Sequence, residues 1–519
     1  MDIRRSPNCE EDRELACSYL KSPDLSLLRS SYTPSSEEVK LIELDIAALD
    51  ASLAAVNVEI TSNPAHAPSL EHNRGQLIEL RRRKQALKAP IRRLPTELLE
   101  LIIRAAVPDD WTTAIETTPR FPLLESCYRL RAIGLAMLDL WCTVVRRCIG
   151  HGYDFYEEAR RYMDRAEPLP IHLVDPMEAP YRYPDPHFDQ WMVVHTARFQ
   201  SFEWAVDLSS LSPTKVAAPF LESATFYACL PMRARAVTTC GLLALIEAPC
   251  LRKVTFEYLL PSVTDLPWAQ LTHLTLRVAR MPPNDLAILR SCTSLFMLDA
   301  NISANFGVPV SPMLVLHDLH TLKVAKHGYL LTTFFCAPRL ANLCIEWGHN
   351  SDSAVCSRPI THISTWLRSS ASSSIRTLTL KGRFYDTCFE QTRDLFRLVP
   401  AVERLILDYY FLVSRPDLPY GPRRQNAVAL LDDAAILPNL KHLTFVESNY
   451  AAFAAPGIEE PLTRFALARW ANGGEQLVER LCLRSVGCER AGTCTCVLEQ
   501  QWMETLKEGG ILVDRSTCR

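Results

Sequence analysis

Glycine is scarce in this chain of 519 residues: 17 glycines stand against 35 prolines. That balance points to many short elements separated by stiff turns. The glycines do not form GxxxxGK[ST], GxGxxG or GxSxG, and HExxH is absent as well. The common phosphate-loop, dinucleotide, nucleophile-elbow and zinc-hydrolase signatures are therefore missing. No apolar run reaches the roughly 18 residues expected of a membrane helix. The start, "MDIRRSPNCEEDRELAC", lacks the apolar core of a signal peptide, so no membrane partner is expected. Excess charge of either sign is missing too: the formal net charge is −3. The chain as a whole thus predicts neither a nucleic-acid footprint nor a strongly acidic partner.

There are 18 cysteines, yet no CxxC pair. They read as reduced thiols acting mostly as small buried hydrophobes, in a cytoplasmic and/or nuclear setting. Cys488, Cys494 and Cys496 in "CERAGTCTC" are the one group resembling a metal cluster. Zinc usually takes four ligands in closely spaced pairs, so three unevenly spaced thiols with no nearby His predict no metal. No catalytic residue and no cofactor are expected, and His273, His320 and His442 fall on polar positions of the repeat described below.

What is present is a sequence of distinct textures. Residues 1–36 are polar and Ser-rich and read as a mostly disordered arm. Pro34 and the adjacent serines, followed by Glu37 and Glu38, form a helix-start signal. Apolar residues then recur at 42, 46, 49, 53, 56 and 60, the spacing of a coiled-coil seam. After the Pro-containing "TSNPAHAPS", a second helical run carries Leu70, Leu77, Leu80 and Leu87. Residues 37–89 therefore predict an antiparallel hairpin, with dimerisation through the 42–60 seam as the alternative. "RRRK" at 81–84 reads as a solvated helix face, because nothing aromatic is interleaved with it.

From residue 149 to 519 a six-residue template recurs: apolar, any, any, apolar, any, apolar. It begins at 199, 221, 251, 271, 295, 319, 340, 375, 402, 440 and 478. Several copies follow a proline placed one or two residues ahead, as in "APFLES", "APCLRK", "APRLAN" and "LPNLKHL". Pro can end the incoming element and fix the approach to a strand. The second and third apolar positions alternate with one polar residue, which is strand periodicity. Segments between copies, such as "DLAILRSC", "ISTWLRSS", "QTRDLFRL", "AVALLDDAA" and "TRFALARW", read as helical or irregular. One strand and one return per 20–38 residues is an irregular leucine-rich-repeat pattern, although the Asn of regular repeats is lacking. The expected fold class is α/β, with a parallel sheet built from stacked units. "WMETLKEGGILVD" predicts a further helix, a Gly turn and a last strand.

Between hairpin and repeats lies "IRRLPTELLELIIRAAV", residues 91–107. Leu98, Leu99, Ile102 and Ile103 fall within two turns and cannot all enter one small core. Leu94 to Ile103 resembles the first helix of an F-box, L-P-x-E-[LI]-L-x-x-I-F, with Leu94, Pro95, Glu97, Leu98, Leu99 and Ile102 matching and Ile103 in place of Phe. Cys127 to Trp141 is similar to the later F-box pattern C-x-x-W-R-x-I-A-x-x-x-P-x-L-W. Cys127, Arg131, Ile133, Leu140 and Trp141 match, while Leu130, Gly134 and Leu138 replace Trp, Ala and Pro.

The layout resembles F-box proteins of mushroom-forming fungi, with the F-box over 90–148 and a leucine-rich-repeat-like domain over 149–519. That resemblance implies a non-catalytic substrate receptor of an SCF-type ubiquitin ligase. The F-box would bind a Skp-type adaptor, and through it cullin and RING subunits, while the repeats would hold an unidentified protein substrate. Leu94, Pro95, Leu98, Leu99, Ile102, Ile103 and Trp141 would build or present the adaptor surface. Two other readings stand beside it: a repeat scaffold without a ligase, and an enzyme with an unrecognised site.

Overall fold

The computed structural model describes residues 27–28, 32–63, 66–107, 124, 128–145, 155–174, 186–206, 214–228, 243–258, 264–278, 288–303, 314–347, 353–370, 374–382, 388–408, 430–431, 435–447, 480–485 and 512–514. The chain divides into two compact units, Met1–Pro176 and Met177–Arg519.

The first unit opens with the hairpin. Helix α1 (Ser36–Ser62) starts at Ser35, whose side chain accepts from the Glu38 amide while Glu38 accepts from the Ser35 amide. This capping box satisfies two amides that the first turn leaves without partners. Helix α2 (Ala67–Leu87) returns antiparallel to it. Of the predicted seam, Ile42, Ile46 and Leu53 are fully buried and Leu49, Val56 and Ile60 partly so. The seam is thus closed within the chain. Lys84 Nζ lies 2.9 Å from Asp45 and Lys88 Nζ 3.2 Å from Glu43 across the helices, and Arg81 pairs with Asp50. "RRRK" is accordingly more than a solvated face, since two of its four charges bridge the hairpin. The arm expected to be disordered contributes at its end: Leu27, Leu28 and Tyr32 pack on Ile42, Ile46 and Leu87.

Glu38 gives the hairpin a pH dependence. The Ser35 amide, the Ser35 hydroxyl and Tyr32 all hydrogen-bond its carboxylate and hold its pKa below the usual value. A lowered folded pKa stabilises above the unfolded carboxylate value and loses that stabilisation as pH falls through the folded one. Amide protection factors over residues 36–40, taken relative to the intrinsic exchange rate at each pH, should fall on acidification below the ordinary carboxylate range, and Glu38→Gln should remove that response.

Helices α3 (Thr96–Ala106), α4 (Tyr128–Ala136) and α5 (Phe155–Ala166) follow, with a two-stranded parallel pair of β1 (Thr143–Val145) and β2 (Ile171–Val174).

The second unit contains helix α6 (Pro186–His195) and a parallel sheet whose twelve strands follow the chain order. They are β3 (Phe199–Val206), β5 (Ser223–Ala228), β7 (Lys253–Glu257), β9 (His273–Val278), β10 (Met297–Ile302), β12 (Thr321–Lys326), β14 (Asn342–Glu346), β15 (Thr377–Lys381), β16 (Arg404–Asp408), β17 (His442–Glu447), β18 (Arg480–Ser485) and β19 (Leu512–Asp514). Each of the eleven template copies supplies one strand, and the tail supplies the twelfth.

The backbone explains the template's spacing. In each of eight successive steps one carbonyl accepts two consecutive amides from the next copy. Glu222 O accepts from Arg252 and Lys253, Arg252 O from Thr272 and His273, and the pattern runs on to Glu403 O, which accepts from Lys441 and His442. Pinching two adjacent residues onto one acceptor turns both side chains outward, which is why two polar positions separate the first and second apolar ones. The prolines also have a place. In 218–221, 248–251, 337–340, 399–402 and 437–440 the amide of the first apolar residue bonds three residues back, with Pro at the second turn position. That is the position whose φ proline sets in advance.

Inward positions form continuous rows. Trp204, Phe226, Phe256, Leu276, Ala300, Val324, Ile345, Leu380, Leu407 and Phe445 are in register and buried. The returns behind this core are more varied than expected. "ISTWLRSS" lies in α7 (Ser353–Ser370) and "QTRDLFRL" in α8 (Phe389–Leu398). The early returns, however, form a three-stranded parallel sheet of β4 (Thr214–Ala217), β6 (Leu243–Glu247) and β8 (Thr264–Asp265), and β11 (Leu314–Val315) pairs with β13 (Phe335–Cys336). Step length alone does not sort them, since β6 lies in a step of 30 residues (221 to 251) and α8 in one of 27 (375 to 402). "AVALLDDAA" lies mostly, and "TRFALARW" and the helix expected before β19 lie wholly, outside the described residues.

Ala300 is small where its row neighbours are Leu276 and Val324, and the 3-10 segment Gly328–Phe334 packs into that space. A Cβ on Gly328 would collide with the Ala300 carbonyl. Gly328→Ala should therefore destabilise the second unit by about 1–3 kcal/mol, the range of overpacking substitutions, as read by thermal unfolding.

Candidate docking surface

Helix α3 is set by the chain before it. A 3-10 turn, Pro90–Arg93, ends at extended Leu94, and extended Pro95 caps α3. Arg92 is buried, and its guanidinium donates to the carbonyls of Leu27, Leu28 and Tyr32 at 2.8–3.3 Å. Arg129 on α4 donates to the Arg92 carbonyl and, at 2.8 Å, to that of Leu94. Thr33 Oγ1 donates to the Arg92 carbonyl as well, at 3.1 Å. Two arginines thus fix the start of α3 relative to α4 and to the segment preceding the hairpin. Neither was legible as a structural residue in sequence, because a buried guanidinium bonded to carbonyls has no local signature.

α3 carries two apolar stripes. Leu99 (1% exposed) and Ile103 (2%), spaced i, i+4, face inward, and α3 packs on α4. Leu98 (46%), Leu101 (58%) and Ile102 (38%), spaced i, i+3, i+4, face outward. Tyr128 and Leu138 are exposed too. The Arg104–Asp139 ion pair, 3.2 Å, ties the C-terminal end of α3 to the turn that carries Leu138. Three large aliphatics in water on one helix face are what a partner-docking helix presents.

The seven expected surface residues therefore divide. Leu98 and Ile102 lie on the open face, Pro95 is exposed at its start and Leu94 is half-buried. Leu99 and Ile103 are interior and anchor the helix, and Trp141 is buried in the same unit, so these three can build the surface from beneath but do not line it. Trp141 Nε1 donates to the Gly134 carbonyl at 3.0 Å, its ring meets Tyr162 edge-on at 5.0 Å, and the Arg165 guanidinium stands 4.4 Å from its centroid. Leu130, standing where the F-box pattern has Trp, is buried in the same unit. Leu101 was missed, although its i+3 spacing from Leu98 was the available signal.

Among the described residues no group of three or more His, Cys, Asp or Glu could hold a metal, and no helix is long and apolar enough to cross a membrane. Cys488, Cys494 and Cys496 lie outside the described residues. Burial pushes the Cys292 thiol up to about 12 and that of Cys344 to about 11, which suits thiols that pack rather than react. His273 and His320 sit on outward positions on either side of exposed Phe296; the His320 ring stacks on Phe296 at 5.1 Å. No protein-family model and no curated protein matches the chain.

Proposed function

We propose that this chain is the substrate-receptor subunit of an SCF-type ubiquitin ligase. Its first unit would dock a Skp-type adaptor, which brings cullin and RING subunits, and its second unit would hold a protein substrate. The observation that carries the reading is the split of α3: Leu99 and Ile103 secure the helix, while Leu98, Leu101 and Ile102 stay in water. The second unit is read as an irregular leucine-rich-repeat solenoid. The carbonyl that pinches two amides in eight successive steps supports that reading, as does the strict chain order of the strands. Long rows of outward positions on parallel strands suit a protein ligand better than a small one.

In this role the chain performs no bond chemistry. It raises the effective concentration of a substrate lysine near a charged ubiquitin carrier. The test is co-expression with a fungal Skp-type adaptor followed by pull-down. Capture by the wild type supports the receptor. If folded wild type captures no adaptor, the outer stripe serves another partner and the scaffold reading, without a ligase, replaces it.

A further inference from the structure

We propose that the N-terminal edge of strands β15–β17 binds an acidic segment of a partner protein. The inference rests on the reading of the second unit as the partner-holding part of the chain.

Register puts the relevant residues together. Thr377, Arg404 and His442 are neighbours across β15, β16 and β17. One residue earlier stand Arg376, Glu403 and Lys441, linked through the pinched carbonyls: Arg376 O accepts from Glu403 and Arg404, and Glu403 O from Lys441 and His442. Adjacent strands lie about 4.8 Å apart, so Arg376, Arg404 and Lys441 lie within about two strand spacings of one another, with Glu403 between Arg376 and Lys441. Arg376, Arg404 and Lys441 are exposed, and among the described residues none is in an ion pair.

Several charges elsewhere on the outward surface are matched instead. Arg277 pairs with Glu257 at 2.7 Å, Lys323 with Asp299 at 3.0 Å and Arg339 with Asp318 at 3.2 Å. Earlier in the same edge row, Arg252 spends its guanidinium on the carbonyls of Pro249 and Leu251, and Thr272, Phe296, His320 and Ala341 carry no fixed charge. Arg376, Arg404 and Lys441 thus place three cations, outside any ion pair among the described residues, on three neighbouring strands, against the one half-buried carboxylate of Glu403 between them, whereas Lys253 is a lone exposed cation earlier on the same edge. The whole chain carries a net charge of −3. A polyanion is not drawn to it indiscriminately, and binding of an acidic peptide would have to be local. A row of cations along the strand ends fits an extended run of Asp and Glu crossing the strands, with affinity that falls as salt screens it.

The experiment is fluorescence anisotropy of a labelled oligoglutamate peptide with the full chain at low salt. Three proteins are compared: wild type, Arg376→Glu/Arg404→Glu/Lys441→Glu, and the control Arg252→Glu/Lys253→Glu on the same edge. The expected result is saturable binding by wild type, a loss of roughly tenfold or more in the triple variant, and near wild-type binding in the control. Absence of binding by wild type overturns the proposal. An equal loss in the control overturns it as a local site, and tighter binding of a single-stranded oligonucleotide through the same three residues overturns the acidic-peptide class. Adaptor capture by the triple variant is measured alongside and should be unchanged. Failure at this edge and failure of the receptor reading at α3 are then separate results.

Discussion

Leu98→Asp/Ile102→Asp should leave the protein folded and abolish capture of a Skp-type adaptor. Both side chains stand in water, so neither Asp buries a charge in the folded state. Helix propensity costs only a few tenths of a kcal/mol for each, and Asp at 98, in the first turn of α3, meets the favourable end of the helix dipole. On binding, the account reverses. Each aliphatic that fills a partner's pocket is worth about 2 kcal/mol or more if it is a hot spot, and an uncompensated carboxylate in that pocket costs further desolvation. Two such losses amount to roughly a thousandfold in affinity, since about 1.4 kcal/mol is tenfold. Circular dichroism and the thermal midpoint should match wild type while pull-down fails. Leu99→Asp is the contrast: its side chain is 1% exposed, so the variant should lose capture together with the fold of the first unit. Capture of Leu98→Asp/Ile102→Asp at wild-type levels would remove the outer stripe from the interface and with it the receptor reading.

Much of the repeat region was legible because its signals are local. The second and third apolar positions alternate, and a period of two survives whatever lies between copies. Proline ahead of a copy marks a turn whose φ it already supplies. The returns were less legible, because a short apolar run reads alike as strand or helix until its length and its partner are known; β4, β6 and β8 find theirs in one another, one repeat away. In α3 the crowding of Leu98, Leu99, Ile102 and Ile103 announced two apolar directions. Which residue belonged to which was decided by α4 and the turn at Trp141, elements that sequence places late and without angles. Arg92 and Arg129 were invisible for the same reason: their acceptors are backbone carbonyls contributed by distant segments.

Trp141 carries the second large effect, and it separates support of the docking helix from docking itself. Trp141→Ala removes a buried indole at the centre of the first unit, between the Gly134 carbonyl, Tyr162 and Arg165. Large aromatic truncations in a core cost about 3–5 kcal/mol. At roughly 2–4 °C per kcal/mol for a unit of this size, the first unit's thermal midpoint should fall by about 6–20 °C. Trp141→Phe keeps a ring against Tyr162 but leaves the Gly134 carbonyl without its indole donor, a loss of about 1 kcal/mol for one hydrogen bond, plus the smaller ring's packing deficit. Both variants keep Leu98, Leu101 and Ile102 outside the substituted site. At a temperature below both midpoints, Trp141→Phe should therefore capture adaptor as wild type does, whereas Trp141→Ala should lose capture in step with its unfolded fraction. Differential scanning calorimetry with pull-down at two temperatures reads both. If Trp141→Phe stays folded yet loses capture, the indole contributes to the partner surface directly, and its assignment to the interior support of α3 is wrong.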